Sequence, residues 1–283
     1  MSNAIDGDPA EGLRHVDGSL LYLADPAETP TAENSNAASP DPSGWPGRSR
    51  RYTLPIRDGR AVIKELSLDK QGFVLVRNQT AVSNFYDEPE VRAVYYPEVE
   101  RLVQLATGAE KVLVFAHDVR SAPKARDGEK GVREPVATVH NDYTIRSGPQ
   151  HVRELLAHDE AEQRLKDRFA EINVWRPIRG PVQSTPLAVC DSRSIAQKDL
   201  VPTDLKHEVY MVTFNPKHRW FYFPQMETNE VLLIKGFDSM EDGRARFTAH
   251  AAFEDPTTPP LAPARESIET RALVFYRPGH LNT

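Results

Sequence analysis

The chain has one cysteine, Cys190, in 283 residues. A single thiol excludes a disulfide framework and any zinc site built on paired cysteines. No apolar run approaches the length of a membrane span, and the first residues lack the basic-then-apolar pattern of a secretory leader. Long basic stretches are missing too: 35 Lys and Arg stand against 41 Asp and Glu, for a net charge of −6. That balance leaves no electrostatic footprint for nucleic acid or for an anionic membrane. Together these absences lead to the expectation of a cytoplasmic, reducing environment. They say nothing about oligomeric state.

What remains is enough for a buried core: 39% hydrophobic and 8% aromatic residues. The 23 prolines favour strands and loops over a helical bundle. The length suits one domain over residues 1–283, since β-barrels and jelly rolls of this size run as single units. A short buried strand is expected at 19–24 and a Pro/Ser-rich surface loop at 25–51, with Asp58-Gly59 as a hairpin turn. Helical spacing occupies Glu88 to Gly108. Pro97 sits at a first helical position, Val99, Leu102, Val103 and Ala106 form one stripe, and Gly108 forms the cap. A strand follows at 111–116, then a polar loop at 121–134, an extended segment from Val136 to His140, and a charged surface helix at 150–170. Short strands are predicted at 172–178, 187–190, 208–214, 219–223, 231–236, 245–252 and 268–276, the pattern of a sandwich or barrel.

Three His-x-acid triplets occur: His15-Val-Asp17, His140-Asn-Asp142 and His158-Asp-Glu160. About one is expected from composition, so the triplet alone carries little. Strand context separates them, because residues two apart share a face on a strand but not on a helix. His158 falls in the helical stretch and His15 in a polar segment, whereas His140 ends an extended run. His250 follows Asp142 by 108 residues (250 − 142), on an alternating strand among Ala249, Ala251 and Ala252. Two imidazoles and a carboxylate can occupy one face of an octahedral metal and leave the opposite positions open, which suits non-haem Fe(II) chemistry with O2. His218, in a polar turn, competes for the third ligand and reads as solvated, as do His207 and His280; His117 reads as structural.

Arg265, Ser267, Glu269 and Arg271 share one parity on the last strand pattern. Arg265 and Ser267 there would offer a fork and a hydroxyl to a carboxylate, with Arg271 as the substitute. The bland alternative is an edge-strand row of ion pairs with Glu266 and Glu269. Asn173, Trp175 and Pro177 share a face of an earlier strand, with Arg176 on the other. Trp175 reads as core, Asn173 or Arg176 as pocket lining, and Tyr143 as a hydroxyl near the substrate or a packed ring.

Tyr95-Tyr-Pro-Glu98, Val139-His-Asn-Asp-Tyr-Thr144, Asn173-Val-Trp-Arg-Pro-Ile178, Pro186-Leu-Ala-Val-Cys-Asp191, Asp199-Leu-Val-Pro202, Arg219-Trp-Phe-Tyr-Phe-Pro224 and Arg265-Glu-Ser-Ile-Glu-Thr-Arg271 together resemble one family. It is the Fe(II)/2-oxoglutarate-dependent hydroxylase/desaturase group of microbial secondary metabolism, typified by cephamycin 7α-methoxylation proteins, the aspergillic-acid-cluster hydroxylase and the fungal gibberellin desaturase. The resemblance spans most of residues 17–277. It implies a mainly β fold with flanking helices around a double-stranded β-helix (jelly-roll, cupin-like) core. It also implies Fe(II) on His140, Asp142 and His250, 2-oxoglutarate on Arg265 and Ser267, O2 as oxidant and a small-molecule substrate. One departure is the 15-residue gap from His250 to Arg265 (265 − 250), longer than the wider superfamily's spacing. Two other readings stay open: an iron oxidase that needs no keto acid, and a catalytically silent jelly roll that binds a small ligand.

Overall fold

The computed structural model describes residues 12–24, 39–40, 48–203 and 208–279. Among these, fifteen strands, numbered in chain order, form two curled sheets. The first sheet runs β1 (His15–Leu23), β3 (Arg48–Asp58), β12 (Trp220–Tyr222), β9 (Leu187–Cys190), β14 (His250–Ala252), β7 (His140–Asn141), β11 (Tyr210–Val212) and β10 (Leu200–Pro202), with β2 (Ser39–Pro40) on β3. The second runs β4 (Phe73–Arg77), β13 (Glu230–Asp238), β8 (Phe169–Pro177), β15 (Glu266–Phe275), β5 (Lys111–Ser121) and β6 (Val132–Arg133). The two sheets are the double-stranded β-helix expected from the sequence resemblance.

Strand β8 is buried along its whole length because both of its faces are covered. Ala170, Ile172 and Val174 pack outward with Val231, Leu233, Ala272 and Val274 under helix Tyr96–Thr107, which contributes Val99 and Val103. Trp175 points inward with Phe73, Leu75, Leu187, Val189, Phe221, Phe223, Leu232 and Ile234, the apolar filling between the sheets. The alternation therefore sends Glu171 and Asn173 into the interior as well, where a purely apolar sandwich would place aliphatic residues.

The helix at Tyr96–Thr107 has Pro97 in its first turn and ends at Gly108 in the left-handed conformation (φ 68°). Its stripe is narrower than the spacing suggests, since Ala106 is exposed. All the strands predicted after residue 172 occur, although those at 208–214, 219–223 and 245–252 shrink to three residues each, and Leu200–Pro202 was missed. Other expectations need correction. The first strand begins at His15, and residues 48–51 of the expected loop belong to β3; the rest of that loop, β2 apart, lies outside the described residues. Asp58 makes no hairpin turn but accepts from Arg60 N (2.8 Å) and caps a short 3-10 helix, Gly59–Val62. The 121–134 loop holds helix Ala122–Arg126 and strand β6, and the 150–170 helix is two helices, Ser147–Leu155 and His158–Arg164.

Candidate metal centre

Strands β7 and β14 pair with each other, and their register sets His250 directly opposite His140. The imidazole centroids stand 4.5 Å apart at 55°. Asp142, one residue past β7, turns back so that its Oδ1 lies 3.4 Å from His140 Nε2. One donor atom from each of the three falls within 4.8 Å of the other two. His140 Nδ1 donates to the Thr138 carbonyl (2.8 Å) and His250 Nδ1 to the Thr248 carbonyl (3.3 Å). A carbonyl only accepts, so each Nδ1 carries a proton, and Nε2 is the nitrogen each ring has to offer a metal.

His250 Nε2 is buried with no hydrogen-bond partner. Burial, and then the nearby His140, push the His250 pKa down and keep the ring neutral. Burial alone would raise the Asp142 carboxyl. The Arg271 guanidinium and the His140 contact outweigh it and hold Asp142 ionised, well below the usual carboxylate range. Two imidazoles turned to offer Nε2, one of them with no other partner, and one anionic oxygen suit a divalent transition metal, so the residues fit Fe(II).

Asn141, between two of the three donors, points the other way and is fully buried. Its amide donates to Tyr143 O (2.6 Å) and Gly236 O (2.9 Å) and accepts from Thr248 N (3.0 Å). It thereby ties the turn carrying Asp142 to the residue two before His250. Gly236 lies at the bulge where β13 slips register on β8, and a Cβ there would come within 2.5 Å of the Tyr143 ring. Neither role was read from the sequence, because the middle residue of a His-x-Asp triplet has no chemical signature.

His140 lines two cavities. The larger, about 960 Å3, is walled by Phe115, Val136, Tyr143, Leu155 and Val209, and Asp142, His151 and Arg271 also face it. The smaller lies toward Trp175, Leu187, His250, Arg265 and Glu269 and holds about 10 Å3, room for a single water. Arg265 precedes β15, stacks over Trp175 (5.4 Å) and donates from Nη1 to Thr185 O (2.8 Å), but its buried Nε has no partner. Ser267 Oγ is buried and unpartnered as well. Burial, reinforced by the charge of Arg120, pushes Arg265 down to about 9. An orphaned guanidinium nitrogen and, two residues along the chain, an orphaned hydroxyl are donors of the kind a carboxylate accepts from. A five-carbon dicarboxylate would need Glu269, whose Oε2 lies 3.8 Å from His250 Nε2, to give way.

Other predicted site residues are dispersed. Asn173 donates to Asp142 Oδ2 (2.5 Å) and accepts from the Tyr143 hydroxyl (3.1 Å). Trp175 is core, as expected. Arg176 is buried on the far side of β8, over the Tyr95 ring and bonded to Asn78, so it lines neither cavity. Arg271 binds Asp118, Asp142 and Glu269. Since β15 is an interior strand, these pairs are no edge-strand row. His218 is not solvated: it is buried, stacked on Tyr22 and bonded to Asp199 (3.2 Å). His117 bonds the Tyr96 hydroxyl (2.9 Å), the structural role expected of it. His15 and Asp17 are on a strand after all but exposed, and His207 and His280 lie outside the described residues. Not legible in the sequence are the pair of half-buried His151 and buried Glu171 (3.1 Å) and the carboxylate of Asp118.

A family model described as "Oxidoreductase/YMDC permease-like domain" matches residues 20–275. Among the described residues no helix is long and apolar enough to cross a membrane. The hydroxylase/desaturase efuI of Hormonema carpetanum is 38% identical over 258 residues, covering 81% of this chain and 86% of its own length. The Fe(II)/2-oxoglutarate-dependent dioxygenase nvfI of Aspergillus novofumigatus is 32% identical over 269 residues, covering 90% of each. The solved structure of the iron and alpha-ketoglutarate-dependent endoperoxidase NvfI superposes with a TM-score of 0.77 at 28% identity, covering 92% of this chain and 97% of that one. With these lengths and identities, the chain belongs to the family of Fe(II)/2-oxoglutarate-dependent dioxygenases and hydroxylase/desaturases of fungal secondary metabolism.

Proposed function

We propose that His140, Asp142 and His250 hold Fe(II) and that Arg265 with Ser267 receives the distal carboxylate of 2-oxoglutarate, in one oxygenase domain working in the cytoplasm. The observation that carries this reading is the unpartnered Nε2 of His250 beside an ionised Asp142, at the junction of the two cavities. Bound there, iron supplies the O2-dependent redox chemistry. Overall, 2-oxoglutarate and O2 would become succinate and CO2 with one oxygen atom in succinate; the other would enter the substrate as a hydroxyl or, in desaturation or ring closure, leave as water with two substrate hydrogens.

The larger cavity takes the substrate, an apolar small molecule of the secondary-metabolite class. Phe115, Val136, Tyr143 and Val209 would pack against its apolar parts, while Arg120, Arg133, Glu134, His151 and Glu154 offer polar contacts that orient it. Orientation decides which C–H bond faces the metal donors, and so which of the three outcomes follows. The test is succinate release with Fe(II), 2-oxoglutarate, O2 and a panel of apolar polycyclic candidates. His140→Ala and Asp142→Ala should each abolish it, and undiminished release in either variant refutes the ligand assignment.

A further inference from the structure

Arg271 commits each of its guanidinium nitrogens to a different carboxylate: Nε to Asp142 Oδ2 (3.2 Å), Nη1 to Asp118 Oδ2 (2.8 Å) and Nη2 to Glu269 Oε1 (2.9 Å). Asp142 Oδ2 also accepts from Asn173 Nδ2 at 2.5 Å. The amide orientation follows from this contact. An ionised carboxylate only accepts, so Nδ2 faces Asp142 and Oδ1 is left to accept from the Tyr143 hydroxyl (3.1 Å). Oδ2 therefore receives two donors, one of them cationic, and both of its lone pairs are used. Oδ1 makes the 3.4 Å approach to His140 Nε2. Register reinforces the arrangement, because Asn173 and Arg271 are directly paired across β8 and β15 and converge on one atom.

We propose that Asn173 and Arg271 are positioning residues that hold Asp142 to a single ligand oxygen, Oδ1, and that Arg271 takes no part in binding the keto acid. This inference rests on the metal-centre reading above. A carboxylate free to rotate would offer both oxygens and occupy two metal positions, one of which the reaction needs open. Hydrogen bonds to a ligand's outer atom also set metal affinity, and their loss costs about 10–100-fold in comparable sites.

The test uses Co(II) alone on the metal-free full chain, then 2-oxoglutarate on the Co(II)-saturated chain, with calorimetric titration and the visible Co(II) d–d spectrum as readouts. Arg271→Gln and Asn173→Ala should each weaken Co(II) binding by about tenfold or more. Each should also lower the d–d intensity as the coordination number rises, and Arg271→Lys should restore part of the affinity. At saturating Co(II), Arg271→Gln should leave 2-oxoglutarate affinity within about twofold of wild type, whereas Arg265→Gln loses about tenfold or more. Should Arg271→Gln fail to fold because three carboxylates lose a shared cation, the uncharged Asn173→Ala carries the test, its folding checked by circular dichroism. Wild-type affinity and spectrum in Asn173→Ala overturn the inference, as does Arg271→Gln losing 2-oxoglutarate as severely as Arg265→Gln. Absence of Co(II) binding by the wild type would instead overturn the metal-centre reading and the inference with it.

Discussion

The sandwich interior has two unlike ends. At one, Phe73, Leu75, Phe221, Phe223, Leu232 and Ile234 fill the space between the sheets with hydrocarbon. At the other, the same strand β8 and its neighbour β15 send in Glu171, Asn173, Glu269 and Arg271, which meet Asp118, His140, Asp142 and His250. Both ends lie between the sheets, the polar one beside the larger cavity, and they differ in how each is held. The apolar end is stabilised by area and shape, and tolerates any filling of the right volume. The polar end persists because nearly every group has a named partner, and the groups without one, His250 Nε2, Arg265 Nε, Ser267 Oγ and one oxygen of Glu171, sit where binding or proton chemistry would take place.

The contrast can be broken most severely at the ligands. His250→Ala should reduce bound iron in the purified protein to background while leaving the melting temperature of the metal-free form within a few degrees. Phe73→Ala should do the reverse, costing about 3–5 kcal/mol in denaturant unfolding through the cavity it opens, with iron content at full folding unchanged. Asn141→Ala should strike both ends at once: three buried hydrogen-bond partners are orphaned, a loss of about 2–3 kcal/mol or more, and iron affinity falls as β7 loosens from Thr248.

Arg265→Gln should spare the fold, since it removes a buried cation that lacks a carboxylate partner. Its signature is thermal: 2-oxoglutarate should raise the melting temperature of the metal-loaded wild type but not of the variant.

The smallest effect concerns Glu171. Burial raises its carboxyl to about 7, only partly offset by His151, while that carboxylate raises His151 above its ordinary value. A carboxyl with a raised pKa binds more protons folded than unfolded, so its contribution to stability is complete below about 4.5, the ordinary glutamate range, and is lost as pH rises through 7. His151 extends the same downward slope above its ordinary value of 6.5. Glu171→Gln should flatten the fall in melting temperature between about pH 5 and 7, at about 2–4 °C per kcal/mol for a domain of this size. An unchanged slope would place the titration elsewhere.

How much of this was legible in the sequence follows the same division. The strands were legible because alternation and punctuation by proline and glycine are local signals, and the donors because the extended run before His140 singled out its triplet, although Asp142 lies past β7 and reaches His140 by a turn. Asn141 and Gly236 were not, because their importance lies in contacts across 107 and 95 residues. His218 was misjudged for a related reason: Asn215-Pro-Lys-His-Arg219 looks like a solvated turn, and only the fold places Tyr22 and Asp199 around it. Arg271 was recognised as unusual on its strand, but one strand cannot reveal that three carboxylates from other segments and its own converge on it.

The pairing of His140 with His250 also orders events in time. The two short strands that bring the imidazoles together are 110 residues apart (250 − 140), and β9 must already lie beside β14 for the ladder to close. Closing so long a loop repays its entropy only once flanking contacts exist. On the proposed ligand assignment, a chain in which β7 and β14 have not yet paired would not hold its donors together, and metal uptake would report that this ladder has closed.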